Sequence, residues 1–472
     1  MLTRPPALPW IHVAPGAPYF VDETGAAFTP IGHNEAISWV DLRGLAGRRD
    51  LPGVEAHLAG LAAEGVTVIR LMLECAHQRG WAIERPAGRF VPRIVAIWDD
   101  LFALCARHGL RILLTPVDTF WTWIRWPHHP WNRANGGPLD HPSRLLLCPE
   151  TRAAIKRRLE FAAVRWGGSG ALFAWDLWNE IHPAQAEDTA EPFAAFMADL
   201  AAHVRAVERR VHGRTHPVTV SLFGPELRWR PHLGLEEPIF RHPDMDFASI
   251  HIYREGSIDD PRDTVAAAVD TGEIVRVALA EIRDTRPFLD TEHGPIHAFK
   301  DKHRTLPEPF DDEYFRHMQW AHLASGAAGG GMRWPNRKVH RLTPGMRRAQ
   351  RGLADFLPLI DWPAFRRRNL NAEIALSRRS LAAFACGDDR QAVVWLLRRD
   401  TIRPDGTLDP AAEPVSTRLA VPGLAPGRYS VRAWDTREGR PAGERAAEAG
   451  PYGLAVETPP FAADLALAIT PA

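Results

Sequence analysis

Two apolar runs in this chain end in glutamates. Phe173-Ala-Trp-Asp-Leu-Trp-Asn-Glu-Ile181 closes on Asn179-Glu180, and Pro287-Phe-Leu-Asp-Thr-Glu-His-Gly294 carries Glu292 just before a glycine. The two glutamates are 112 residues apart, which fits three strand–helix units of about 37 residues each. In an eight-unit barrel, residues set three units apart stand across the mouth at the C-terminal strand ends, where such folds place their chemistry. Two carboxyl groups facing each other over a pocket can cleave an acetal. One protonates the leaving oxygen, and the other attacks the anomeric carbon or activates water.

Other side chains at the expected strand ends fit around this pair. Arg70, in Val68-Ile-Arg-Leu71, would be a buried cation able to hold Glu292 ionised. In Ser249-Ile-His-Ile-Tyr253, strand periodicity puts His251 and Tyr253 on one face. His33 and Asn34 follow the first strand and are candidate contacts to sugar hydroxyls. Glu35, Glu74, Asp118 and Glu255 also lie near strand ends, but none stands opposite strand four with a glycine just after it. The third strand–helix loop, Asp118 to Pro149, is long enough to expect a function for it. It holds Trp121, Trp123, Trp126 and Trp131, four tryptophans in 11 residues. Two are expected to pin the loop, leaving the others, with Trp121 and Trp123 as the candidates, to stack on a saccharide. His128, His129 and His141 lie there too, but His128-His129 is flanked by Pro127 and Pro130 and matches no metal-ligand spacing. No metal or other cofactor is expected. Gly329-Gly-Gly331 is expected inside a strand, as close packing or a bulge rather than a phosphate loop.

The elements that must position these groups alternate. Strand-like runs at Phe28–Gly32, Val66–Leu71, Leu110–Pro116, Leu172–Trp178, Val218–Phe223, Phe247–Ile252, Pro287–Asp290 and Ala328–Arg333 are separated by helical patterns such as Ile94–His108 and Thr151–Trp166. Eight such strands predict a (β/α)8 TIM barrel, preceded by a hairpin over Tyr19–Phe28 that turns at Glu23-Thr-Gly25. From about residue 364 the runs become short and strand-like, about seven in number, which predicts a small C-terminal antiparallel β-sandwich. The expected division is residues 1–363 for the barrel and 364–472 for the sandwich, which would brace the barrel and rim the site.

Composition narrows the function classes. Hydrophobic residues make up 45% and charged residues 24%, as in ordinary globular chains. Fifty-seven basic side chains balance 57 acidic ones, so no basic footprint for nucleic acid exists. Four scattered cysteines predict neither a disulfide framework nor a zinc ribbon. No apolar run is long enough to span a membrane, and residues 1–20 lack the apolar segment of a signal peptide, so a cytoplasmic protein is the expectation. The oligomeric state stays open.

Trp178-Asn179-Glu180 and Thr291-Glu292-His293-Gly294 resemble glycoside hydrolase clan A, most closely family 5 with its cellulase- and mannanase-like members. The likeness covers about residues 19 to 360, and Thr291 stands where glycine is commoner. It implies a retaining glycosidase acting on β-linked oligo- or polysaccharides of gluco or manno configuration. Glu180 would be the acid/base and Glu292 the nucleophile. Asn179 would bind the sugar 2-hydroxyl, His251 and Tyr253 would line the glycone site, and Trp334 would be its aromatic floor. Both glutamates are expected at the first position past their strands, about 5–5.5 Å apart, which is retaining geometry. The alternatives are a transglycosidase on the same site and a non-catalytic carbohydrate-binding barrel; retention of both glutamates argues against the second.

Overall fold

The computed structural model describes residues 8–74, 81–296 and 304–472. Eight parallel strands follow in chain order: Gly32–Glu35, Val68–Met72, Arg111–Thr115, Leu172–Asp176, a two-part fifth strand (Val218–Thr219 and Ser221–Phe223), Ala248–Ile252, Phe288–His293 and Met332–Arg333. Each pairs with the next, and the eighth pairs with the first. The two halves of the fifth strand divide the work of closure: Val218–Thr219 pairs with strand four, and Ser221–Phe223 with strand six. The result is the expected (β/α)8 barrel. Its strands are buried on both faces, which is why they read as nearly unbroken apolar runs.

Helices cover the outside. Pro92–His108 turns Ile94, Trp98, Leu101 and Cys105 inward at helical spacing and stops at Gly109 in the left-handed region. The other long helices are Leu51–Ala63, Pro149–Trp166, Phe193–His212, Thr264–Glu281, Glu308–Ala324 and Pro344–Phe356. No described helix is long and apolar enough to cross a membrane. Cys105, Cys148 and Cys386 are free thiols, and Cys75 lies outside the described residues.

Strands one, seven and eight differ most from expectation. Phe28 belongs to a three-stranded antiparallel sheet, Ile11–Val13, Phe20–Asp22 and Ala27–Phe28, which contains the expected hairpin. That sheet closes the barrel end opposite the mouth, with Phe20 edge-on to Phe173 and Phe247 at ring distances of 5.0 and 5.4 Å. Barrel strand one starts only at Gly32, where a Cβ would fall 1.8 Å from the Val68 carbonyl oxygen. Strand seven runs on to His293, so Glu292 lies within it rather than past it. Strand eight starts at Met332, so Gly329-Gly-Gly331 precedes a strand instead of lying in one. The close packing expected of these glycines is real: a Cβ on Gly329 would meet the Pro30 carbonyl oxygen at 2.3 Å.

Beyond the barrel, nine antiparallel strands form one sheet that folds into the β-sandwich around Val394, Leu396, Leu419, Val431 and Leu467. All seven expected strand regions are present. Arg368–Asn369 and Arg440–Gly450 are additional. Arg440–Gly450 has no apolar alternation and is mostly exposed; its pairing along Gly427–Asp435 makes it a strand. The sandwich packs on the last two long barrel helices. Asp464 accepts from Arg316 Nη1 at 2.6 Å and from Trp395 Nε1 at 3.0 Å, and Phe356 meets Trp434 edge-on.

Candidate active site

The C-terminal strand ends open into a cavity of about 610 Å³. Asn179, Glu180, Tyr253, Glu292, Trp121, Trp123 and Trp334 all line it. Its described lining comes entirely from the barrel, so the sandwich packs on the barrel without rimming the site.

Glu180 lies four residues beyond the end of strand four, not one. Its φ of +51° is in the left-handed region, and its N–H donates to Ser221 Oγ at 3.2 Å. Glu292 reaches the same space by another device. Between strands six and seven, Ile250 aligns with Asp290 but His251 with Glu292, so Thr291 is an extra residue in the ladder. Such a bulge re-aims the side chains that follow it. The position where the motif departs from its commoner form is thus the one the ladder skips. Gly294, at φ +130°, turns the chain away; a Cβ there would press on Arg333 at 2.9 Å.

The bulge is fastened from behind. Asp290 is fully buried, and one oxygen accepts the backbone N–H groups of Ile252 (3.2 Å) and Glu292 (3.1 Å). The other oxygen meets His293 Nδ1 at 2.9 Å and His322 Nε2 at 2.8 Å. Burial works against the charge, but these partners outweigh it and hold Asp290 down at about 2.

The two carboxylates come close together. One oxygen of Glu180, one of Glu292 and a ring nitrogen of His251 all lie within 4.8 Å of one another. His251 Nδ1 shares a hydrogen bond with Glu180 across 2.7 Å and stands 3.8 Å from Glu292. Burial lowers His251 to about 4, so the ring is neutral at neutral pH. Tyr253 donates its hydroxyl to Glu292 at 2.8 Å. Arg70 is fully buried and is the hub: Nη1 donates to Glu292 (3.1 Å) and Asn34 (2.8 Å), Nη2 to Asp176 (2.8 Å) and Asn179 (2.5 Å).

The environment separates the glutamates. Burial pushes Glu180 up to about 7, with Asp176 and Glu226 adding to the rise and Arg70 and His182 opposing it. Burial also raises Glu292, and Glu180 adds to that, against the pull of Arg70 and of the Tyr253 hydroxyl. Arg70 and Tyr253 therefore offset the burial of Glu292 without reversing it.

The rival carboxylates are committed to other partners. Glu35 is held between His33 and His57, each at 3.0 Å, and Glu74 binds Arg158 and His129. Asp118 accepts from Asn179 Nδ2 and from the Trp121 N–H, both at 2.5 Å, and caps helix Thr119–Ile124. Glu255 is exposed.

Three expected contacts sit differently. His251 is fully buried and holds Glu180 from behind without lining the cavity. His33 shares a strand face with Glu35 and points into the helical layer, toward His57 and Gln350, so it does not reach the cavity. Asn34 faces inward but supports Arg70 rather than lining the cavity, and its amide nitrogen donates to the Thr291 and Met332 carbonyls. Sequence reasoning missed Asp176, His182, Phe223 and Glu226. Glu226 lies three residues past strand five in Phe223-Gly-Pro-Glu226, so the strand-end rule applied there as well would have found it.

The tryptophan loop divides as expected. Trp131 is fully buried, donates to Glu84 at 3.2 Å and lies under the Arg158 guanidinium; Trp126 is buried and donates to the Asp140 carbonyl. Trp121 and Trp123 line the cavity. Trp121→Ala should raise KM and lower kcat/KM up to about tenfold, since a stacked ring contributes roughly 0.5–1.5 kcal/mol. Unchanged kinetics with a lower melting temperature would make Trp121 a packing residue instead.

No family model matches the chain. Among curated proteins it is 24% identical over 280 residues to mannan endo-1,4-beta-mannosidase 2 of Arabidopsis thaliana, and 22% identical over 295 residues to the protein of that name from Oryza sativa subsp. japonica. These matches cover 52% and 54% of this chain and 61% of each relative, so the chain spans about three fifths of their length. Among solved structures, a glycoside hydrolase family 5 protein from Bacteroides vulgatus superposes with a TM-score of 0.64 at 12% identity, covering 98% of this chain and 95% of that one. A family 5 mannosidase from Rhizomucor miehei gives 0.51 at 14% identity, covering 72% and 92%. The resemblance to glycoside hydrolase family 5 carried by Asn179-Glu180 and Glu292 is thus borne out by the fold of the whole chain and by distant kinship to mannanases.

Proposed function

We propose that this chain is a retaining β-glycosidase of the family 5 type, with β-manno or β-gluco substrates. The observation that carries this is Glu180 and Glu292 meeting across one cavity, with carboxylate oxygens within 4.8 Å. That closeness fits the roughly 5–5.5 Å separation of retaining sites better than the roughly 6.5–9.5 Å that inversion needs to seat a water. The curated relatives are mannan endo-1,4-beta-mannosidases, and the Rhizomucor miehei mannosidase has been solved with mannosyl-fructose, which supports the manno reading. Residues 1–363 would form the catalytic unit and 364–472 its brace.

In the first step Glu292 attacks the anomeric carbon while Glu180, protonated, gives its proton to the leaving oxygen. Glu180 then takes a proton from water, which releases the sugar. Tyr253 and Arg70 orient the two oxygens of Glu292. Asn179 is fixed by Arg70 and Asp118, and a second amide hydrogen remains for the sugar 2-hydroxyl. Trp334 floors the glycone.

The released sugar should keep the β configuration, as NMR of the first product formed would show. Net inversion would sink the assignment. The pH profile should also follow the acid. Glu180 must be protonated, so kcat/KM should fall as pH rises through about 7. An alkaline limb two units higher would remove Glu180 from that role.

A further inference from the structure

We propose that the substrate's leaving side is apolar, an aryl or alkyl aglycone rather than a further sugar. This rests on the retaining reading, because the acid marks the leaving side: whatever Glu180 protonates lies beyond Glu180. The loops after strands three and five flank the Glu180 loop. From one, helix Thr119–Ile124 exposes Trp123 (40%) and Ile124 (49%), and both line the cavity. From the other, Phe223 lines it, backed by Trp229, which is 55% exposed with its ring 5.8 Å away. A tryptophan alone would suit the flat face of a pyranose. Isoleucine offers no such face, and large apolar side chains gathered around one opening mark a surface that an apolar ligand covers.

A sugar placed there would need hydrogen-bond partners for its hydroxyls, since burying them unpaired is costly. Most of the polar groups nearby are already engaged. His182 meets one Glu226 oxygen at 3.2 Å, and the other lies 3.0 Å from Arg230 as an ion pair without a hydrogen bond among the described residues. Gln185 is fully buried and accepts from Thr119 at 3.0 Å; its amide nitrogen has no partner among the described residues, so one donor and one carboxylate oxygen stand beside a largely apolar wall.

The test is kcat/KM on alkyl β-mannosides and β-glucosides from methyl to octyl, below their micellar range, beside β-linked di- and trisaccharides of the same sugars. We expect kcat/KM to rise about twofold to fourfold per methylene over the first few carbons, the scale of burying a CH2 group, and the octyl glycoside to exceed the disaccharide. Ile124→Asn and Trp229→Ser, both at exposed positions, should reduce the octyl-to-methyl ratio. A flat series with better turnover of the oligosaccharides would overturn the apolar leaving side and leave the glycosidase standing. So would an octyl-to-methyl ratio that neither variant changes. No turnover of any compound by the unmodified protein would overturn the glycosidase itself.

Discussion

Glu292→Ala should lose turnover by on the order of 10⁴-fold or more, the scale on which removing a nucleophile is felt, and azide should restore product of the inverted configuration. The small anion would occupy the volume vacated by the carboxylate and attack from that face, with Glu180 still protonating the leaving oxygen. Glu180→Ala should behave in the opposite way. Without its acid the enzyme should lose roughly 10²- to 10⁴-fold on poor leaving groups, yet still form the glycosyl-enzyme from a dinitrophenyl glycoside. Azide attacking that intermediate should give the β-azide. Product NMR and a pre-steady-state burst separate the two variants. Should both give the same azide anomer, the two roles as assigned are wrong.

Arg70→Met should destabilise the fold by about 3–5 kcal/mol, the range for removing one member of a buried ion pair. Arg70 and Asp176 are both completely buried, and their 2.8 Å contact lies under the site. Losing the guanidinium strands the Asp176 charge, strips a donor from Glu292 and leaves Asn34 and Asn179 without their shared anchor. Arg70→Lys keeps the charge but not the planar fork, and should recover only part of the loss. Urea denaturation of the three proteins measures this. A loss below about 1 kcal/mol for the methionine variant would show that Asp176 is satisfied without Arg70, through Thr115 and Ser221.

The barrel could be read from the sequence because parallel strands buried on both faces are nearly continuous apolar runs, and a polar residue ending such a run is conspicuous. Glu180, Glu292 and Arg70 were found in that way, and His251 and Tyr253 by simple alternation. The misplacement of His33 followed from a boundary error. With strand one set to end at Gly32, His33 and Asn34 looked like two loop residues free to face the mouth. In fact both lie within the strand, so alternation turns one to the helices and the other inward. The Thr291 bulge is harder to foresee. Strict alternation would put Asp290 and Glu292 on one face, but the structure turns Asp290 back toward His322 and brings Glu292 into the cavity. Pairing with strand six determines that, and no local composition encodes it. Arg440–Gly450 escaped notice for the same reason: its partner strand, not its own residues, makes it a strand.

Glu180 holds a backbone conformation that a side chain disfavours by roughly 1–2 kcal/mol. On the proposed assignment, position 180 is a point where thermal robustness and activity pull in opposite directions. Glycine there would relax the turn and remove the acid, so a screen that rewards only heat resistance would drift toward a sturdier, inert barrel. The same conformation recurs at Arg48, Glu187 and Asp188, all exposed and away from the cavity. Engineering for heat tolerance should relieve those turns, at most losing a surface ion pair at each, and leave residue 180 strained.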